Sequence, residues 1–158
     1  MQFYSTNRKT SPVSLCEAVV RGLAADRGLF MPEVIRRFPP AFYQNMKEMT
    51  LREISFVVAE AFFGEDVEAG KLKEIVDETL NFDIPLVQVA DNRYSLELFH
   101  GPTLAFKDVG ARFMARLLAY FNKQEGERQV NVLVATSGDT GSAVANGFLD
   151  VPGVKVFV

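Results

Sequence analysis

The sequence has one cysteine and one histidine, and both scarcities limit its chemistry. With Cys16 alone among 158 residues, no intrachain disulfide can form, and a cysteine-based zinc site would lack ligands. With His100 alone, motifs that hold a metal between two histidines are excluded, and only one base is left for a Ser–His or Cys–His pair. We therefore expect no metal site.

An excess of basic charge and long apolar runs are also absent. Seventeen Lys and Arg residues against 20 Asp and Glu residues give a net charge of −3, which offers no basic surface for nucleic acid or anionic lipid. No stretch approaches the roughly 20 apolar residues that span a bilayer, and residues 1–10 lack the apolar core of a secretory signal. We expect a soluble, cytoplasmic protein with no nucleic-acid or membrane partner.

Up to about residue 80, the pattern predicts mainly helices. Ser14 with Glu17, and Thr50 with Glu53, have the spacing of capping boxes at helix N-termini. Between them, residues 29–31 form a short apolar run that ends at a proline. The predicted helices run from the two boxes to Gly22 and Gly64, through 40–46, and from 67 to 80.

From residue 81, strands and helices alternate. The predicted elements are strands at 85–90 and 94–99, a helix at 106–121, a strand at 130–135, a helix at 138–148 and a strand at 154–158. The nearly all-apolar strand at 130–135 is of the type buried on both faces of a parallel sheet, and it opens a βαβ unit. We predict an α/β fold, with a largely helical domain at 1–80 and the beginning of an open α/β domain at 81–158.

Lys107 follows the segment FHGPTLAF at the predicted start of a helix. A cation there is opposed by the positive end of the helix dipole, by a few tenths to about 1 kcal/mol if exposed. That field, and partial burial beside Phe106, would favour the neutral amine that carbonyl condensation requires. The residues alone leave open the alternative of a solvated lysine paired with Asp108.

A turn of small and hydroxyl residues follows the strand at 130–135. It reads TSGDTGS over 136–142 and opens the next helix, where backbone N–H groups and the helix terminus can hold an anion. The alternative is an ordinary turn in which Ser137 or Asp139 caps the helix. The glycine spacing matches neither a P-loop nor a dinucleotide-binding motif.

Several stretches together resemble the threonine synthase family, pyridoxal-phosphate enzymes of fold type II, the class that includes the tryptophan synthase β subunit. Residues 97–108, ELFHGPTLAFKD, resemble the cofactor-lysine motif of that family, and residues 136–143, TSGDTGSA, resemble its glycine-rich substrate turn. Residues 1–6, MQFYST, and 18–33, AVVRGLAADRGLFMPE, resemble its N-terminal domain. The similarity extends over the whole chain.

This resemblance implies a carbon–oxygen lyase that acts on a phosphate ester, in the last step of threonine biosynthesis. O-phospho-L-homoserine and water would give L-threonine and phosphate, with pyridoxal 5'-phosphate as cofactor. Lys107 would bind the cofactor covalently and move protons, and Phe106 and Asp139 would adjoin the cofactor. The residues implied in binding the substrate carboxylate are Thr136, Ser137, Gly138, Asp139, Thr140 and Gly141. His100 would have a structural role.

Two departures qualify that implication. Many fold type II enzymes carry Asn at the position of Asp139, facing the phenolic oxygen of the cofactor, and a carboxylate would repel a phenolate unless it is protonated or turned away. Asp is usual in the threonine synthase branch. The phosphate loop of the family and the residue facing the pyridine nitrogen are expected beyond Val158. We therefore expect residues 1–158 to be an N-terminal portion that is inactive alone.

Two other functions fit parts of the pattern. Another fold type II lyase, such as a threonine dehydratase or cysteine synthase relative, would share the lysine and the turn but is not expected to carry the GLFMP segment at 28–32. A non-catalytic protein that binds a small anion could keep the fold and the turn, although it would have no need of Lys107.

Overall fold

The computed structural model describes residues 1–126, 128–136 and 138–158. The chain divides into two compact units, Met1–Asp77 and Glu78–Val158. The predicted α/β character is confirmed, since helices and strands occur in both units.

The first unit combines a small sheet with four α-helices. Its elements are β1 (Gln2–Ser5), β2 (Val13–Ser14), α1 (Leu15–Arg21), β3 (Phe30–Pro32), α2 (Pro40–Asn45) with a 3-10 turn at Met46–Glu48, α3 (Leu51–Phe63) and α4 (Ala69–Thr79), whose last two residues belong to the second unit. The predicted starts of α1 and α3 are confirmed, because the side chains of Ser14 and Thr50 accept hydrogen bonds from the backbone N–H groups of Glu17 and Glu53.

The three-stranded sheet was not predicted. β1 pairs antiparallel with β2 on one side and with β3 on the other, so the apolar run at 29–31 supplies an edge strand. The most deeply buried apolar residues of this unit are Leu15 of α1, Leu72 and Val76 of α4, and Val67, which precedes α4. The prediction of a largely helical N-terminal domain therefore omitted this sheet.

The second unit consists of a hairpin, a long helix and a βαβ unit. Its elements are β4 (Leu86–Ala90), β5 (Arg93–Leu96), α5 (Lys107–Gln124), β6 (Val130–Leu133), α6 (Asp139–Gly147) and β7 (Val154–Phe157). β4 and β5 are antiparallel, with a turn at Asp91 and Asn92 that uses a positive φ of 55° at Asn92. β6 and β7 are parallel, as predicted.

The burial of β6 differs from the prediction. Its residues alternate between half-buried and exposed, and Leu133 is 77% exposed, so the strand is not buried on both faces. Among the described residues, β6 pairs with β7 alone, and α6 packs against β7 and α5. The apolar composition of β6 therefore did not predict its burial in the described part of the chain.

Candidate functional site

Lys107 is the first residue of α5, in agreement with the predicted helix start. The preceding residue, Phe106, has helical backbone angles and provides no side-chain cap. The cap position therefore carries no charge, and the first turn of α5 carries the carboxylate of Asp108.

The Lys107 side chain lies beside an aromatic ring and away from carboxylates. Its Nζ is 5.6 Å from the centroid of the Phe106 ring, within the range of a cation–π contact, and the ring is 62% exposed. Among the described residues, no carboxylate oxygen lies within 4 Å of this Nζ. The alternative of a lysine paired with Asp108 is therefore wrong.

The carboxylate of Asp108 is directed into the preceding loop. Its Oδ2 accepts a hydrogen bond from the backbone N–H of Thr103 at 2.9 Å, and its Oδ1 accepts one from the Thr103 hydroxyl at 2.6 Å. Asp108 is 0% exposed. The sequence pattern did not reveal this arrangement; a turn at Gly101-Pro102 can be read from the residue types, but not the side chain that holds it.

Arg112, one turn further along α5, lies near this buried carboxylate. Its guanidinium donates to the backbone oxygens of Glu78 at 2.6 Å and Thr79 at 3.3 Å. Burial lowers the pKa of Arg112, with a further contribution from the positive charge of Arg116, whereas the negative charges of Asp108 and Glu78 oppose that shift. The charge of Arg112 thus offsets part of the cost of burying Asp108.

His100 has a partner on its own loop. Its Nε2 lies 2.7 Å from Oε2 of Glu97, and its ring stacks on Phe99 with 4.8 Å between centroids. These contacts are local and agree with a structural role for His100.

The turn after β6 forms the start of α6, with Gly138 at the N-cap and Asp139 as the first helical residue. The predicted capping by Asp139 is therefore wrong, and Ser137, the other predicted cap and a predicted substrate contact, lies outside the described residues. Gly138 N–H lies 3.5 Å from Oγ1 of Thr136, a long contact. Thr136, Gly138 and Asp139 are exposed and Thr140 is half-buried, so this part of the turn is accessible.

Gly141 lies tightly against the turn. A Cβ at Gly141 would come within 2.8 Å of Cγ2 of Thr136 and of Cγ1 of Val158, which explains the need for a glycine. The structure thus brings Thr136, Gly138 and Gly141 together, and separately places Phe106 beside Lys107. Within the described part of the chain, no hydrogen bond or ion pair joins Lys107 to the turn.

Residues 1–126, 128–136 and 138–158 contain no cluster of three or more His, Cys, Asp or Glu side chains that could hold a metal ion. None of the helices there has both the length and the apolar character needed to cross a bilayer.

Comparison with known proteins identifies the family to which this architecture corresponds. The family model described as "Threonine synthase N terminus" matches residues 2–80. Threonine synthases from Serratia marcescens and Escherichia coli are 40% and 39% identical over 158 residues, which cover 100% of this chain and 36% of each relative. The chain therefore spans about a third of the length of these curated relatives.

Solved structures agree with the sequence matches. The crystal structure of threonine synthase from E. coli has a TM-score of 0.89 at 39% identity, covering 99% of this chain and 36% of that one. The crystal structure of PLP-bound threonine synthase from Brucella melitensis has a TM-score of 0.92 at 34% identity, covering 99% and 34%. The predicted fold class is confirmed: this is an α/β chain with the fold of the matching third of those enzymes. The chain belongs to the threonine synthase family.

Proposed function

We propose that this chain carries the catalytic lysine of a threonine synthase, a pyridoxal-phosphate-dependent carbon–oxygen lyase. The reaction converts O-phospho-L-homoserine and water to L-threonine and phosphate, the last step of threonine biosynthesis. The observation that carries the proposal is the placement of Lys107, a half-buried residue at the start of α5, beside Phe106 and with no carboxylate oxygen of the described residues within 4 Å of its amine.

The residues around Lys107 fit pyridoxal 5'-phosphate as a covalently held cofactor. Condensation with an aldehyde requires a neutral amine, and a carboxylate partner would favour the ammonium form. Asp108 is turned away to Thr103, so the amine has no such partner on its own loop. The exposed ring of Phe106 offers an apolar surface next to the attachment point.

The cofactor, when bound, supplies an electron sink for charge that develops on the substrate. Lys107 would hold the cofactor, and its amine would move protons at the α and β carbons of the substrate. The chain's contribution is thus an amine held at a defined place.

The turn at 136–141 is proposed to bind the substrate carboxylate. Thr136, Gly138 and Thr140, together with Ser137, would present backbone N–H groups and hydroxyls at the N-terminus of α6. The backbone N–H of Gly141 donates to the oxygen of Gly138 at 2.9 Å, so Gly141 would contribute through its close packing against Thr136. Asp139 is exposed in the first turn of this helix, where a carboxylate is favoured by the dipole. Its proposed position next to the cofactor then requires that it be protonated or turned from the phenolic oxygen.

Reductive trapping tests the assignment of Lys107. The polypeptide of the complete reading frame that contains residues 1–158 is incubated with pyridoxal phosphate, reduced with borohydride, digested and mapped by mass spectrometry. We expect the label on Lys107, loss of the label in Lys107→Ala, and retention of the label on Lys107 in Lys123→Ala, since Lys123 is an exposed residue at the other end of α5.

Two outcomes would contradict the proposal. Labelling spread over many lysines, unchanged by Lys107→Ala, would show that Lys107 is not the attachment point. Phosphate binding to the turn without any specific label would favour the non-catalytic anion-binding alternative. Turnover of O-phospho-L-homoserine, followed by phosphate release, separates threonine synthase from a threonine dehydratase relative that attaches the same cofactor.

A further inference from the structure

We propose that Asp108 is a positioning residue for Lys107, acting through Thr103 on the loop that precedes the lysine. The inference rests on the proposed function, because it concerns how the amine is held for the cofactor. Asp108 is not assigned a contact with cofactor or substrate; its carboxylate acts on the chain itself.

The first observation is the geometry of the carboxylate. Both carboxylate oxygens accept hydrogen bonds from Thr103. Oδ2 accepts from its backbone N–H at 2.9 Å, and Oδ1 accepts from its hydroxyl at 2.6 Å. Asp108 is 0% exposed, and a buried carboxylate is retained only where hydrogen bonds and nearby charge compensate its lost hydration. Two short bonds to a single residue fix the loop at Thr103 relative to the first turn of α5.

The second observation is the close approach that this arrangement requires. A Cβ on Gly101 would lie 2.6 Å from Oδ2 of Asp108 and 3.0 Å from its Cβ, so a larger residue at Gly101 would push the carboxylate from its place. The backbone N–H of Leu104 donates to the oxygen of Gly101 at 3.1 Å, which closes a turn over Asp108. The loop and the carboxylate therefore fit each other closely.

The third observation is a strained residue within the loop. Leu104 has a φ of +57°, a left-handed conformation that is unfavourable for a leucine, and its side chain is 77% exposed. Because the Leu104 side chain is so exposed, its packing does not hold this conformation. The hydrogen bonds of the loop hold it instead. Those are the turn from Gly101 and the two bonds from Thr103 to Asp108.

These contacts fix the start of α5, whose first residue is Lys107. The loop enters α5 through Phe106, and the backbone N–H of Asp108 donates to the oxygen of Ala105 at 3.0 Å. Neighbouring residues on a helix point in directions about 100° apart. A carboxylate fixed inward at Asp108 therefore fixes the direction in which the amine of Lys107 leaves the helix.

Three variants separate this role from a charge effect. Asp108→Asn has the same shape, and its amide can accept from the Thr103 N–H and donate to the Thr103 hydroxyl, so it keeps the loop and removes the charge. Asp108→Ala removes both bonds. Thr103→Val removes the hydroxyl bond alone and serves as the milder variant if Asp108→Ala does not fold. Asp83→Ala, an exposed carboxylate before the hairpin, is the control.

The first readout needs no cofactor. In the full chain, hydrogen exchange at the Thr103 amide and the rate of chemical modification of Lys107 relative to exposed Lys123 are measured by mass spectrometry. We expect faster exchange and a changed ratio of modification rates in Asp108→Ala, a smaller change of both in Thr103→Val, and wild-type values in Asp108→Asn and Asp83→Ala.

The second readout uses the complete enzyme loaded with pyridoxal phosphate. Misplacing the amine by about 1 Å should lower kcat by up to about 100-fold in Asp108→Ala, with KM little changed and with recovery in Asp108→Asn. Asp108→Asn behaving like Asp108→Ala would overturn the proposal, as would unchanged exchange and modification in both Asp108→Ala and Thr103→Val. If reductive trapping with pyridoxal phosphate does not label Lys107 in the wild-type protein, the proposed function is wrong. The readout without cofactor still tests the role of Asp108 in that case.

Discussion

Gly147 of α6 lies directly against the backbone of Ala111 of α5. A Cβ added at Gly147 would be 3.0 Å from the carbonyl carbon of Ala111 and 3.1 Å from its oxygen. Because the neighbour is backbone, it cannot move aside without shifting α5, the helix that begins with Lys107. The absence of a side chain at Gly147 thus sets the distance between the two helices of the proposed site.

Gly147→Ala is therefore expected to destabilise the protein. Overpacking costs about 1–3 kcal/mol, and the better helix propensity of alanine recovers about 1 kcal/mol, so a net loss of up to about 2 kcal/mol should appear in urea denaturation. Gly110→Ala is the matched control, since a Cβ at Gly110 would have no heavy atom within 4 Å. That variant should gain up to about 1 kcal/mol, and an equal gain in Gly147→Ala would show that the helices are not in tight contact.

The hydrogen bonds of Asp26 predict that the free energy of unfolding depends on pH. The Ser5 hydroxyl donates to Oδ1 of Asp26 at 2.5 Å, and the backbone N–H groups of Lys9 and Gly28 donate at 2.9 and 3.0 Å. These bonds, that from Ser5 first, hold the pKa of Asp26 below its ordinary value. Since the pKa is depressed in the folded state, the contribution of Asp26 is present above the ordinary value and is lost as the pH falls through the folded-state pKa.

The measurement compares wild type with Asp26→Asn in urea at a series of pH values. The variant should be less stable at pH 7, and the difference should shrink below the ordinary aspartate pKa of about 3.9. Ser5→Ala should also be less stable than wild type at pH 7, because the Ser5 hydroxyl donates to Oδ1 of Asp26 and accepts from the backbone N–H of Asn7 at 3.2 Å. A difference that stays constant from pH 7 to pH 3 would contradict this account.

The elements that sequence reasoning found are those whose signals are local. Ser14 and Thr50 start helices through bonds to residues three positions on, and such spacing can be read directly from the chain. The pairing of β1 with β3 was missed because short strands joined over more than 20 residues carry no local signal. The burial of β6 was misjudged since apolar composition does not say what covers a strand, as Leu133 illustrates.

The same distinction holds at the proposed site. The start of α5 at Lys107 was predictable from the turn residues before it. The direction of the Asp108 carboxylate was not, because it depends on a left-handed Leu104 and on the close approach of Gly101, which are properties of the folded loop. Adjacency in sequence suggested an ion pair between Lys107 and Asp108, but neighbouring residues on a helix do not face each other.

The start of α3 offers a test of local stability. The Thr50 hydroxyl accepts from the Glu53 backbone N–H at 3.3 Å, and Oε2 of Glu53 accepts from the Thr50 backbone N–H at 2.7 Å. Thr50→Ala should cost about 1 kcal/mol, measured by urea denaturation, because the first turn loses an acceptor. Thr50→Ser keeps the hydroxyl and should remain close to wild type; equal losses in both variants would assign the effect to the threonine methyl group instead.

Gly141→Ala should weaken anion binding at the turn without removing any functional group. Its Cβ would come within 2.8 Å of Cγ2 of Thr136, and Thr136 would have to move away from Gly138, whose N–H lies 3.5 Å from its hydroxyl oxygen. Loss of one or two hydrogen bonds to the substrate carboxylate corresponds to about 5- to 30-fold weaker binding. Titration of the complete enzyme with O-phospho-L-homoserine measures this change. Gly110→Ala, the same substitution in open space, should leave the affinity unchanged, and unaltered affinity in Gly141→Ala would remove the turn from the substrate site.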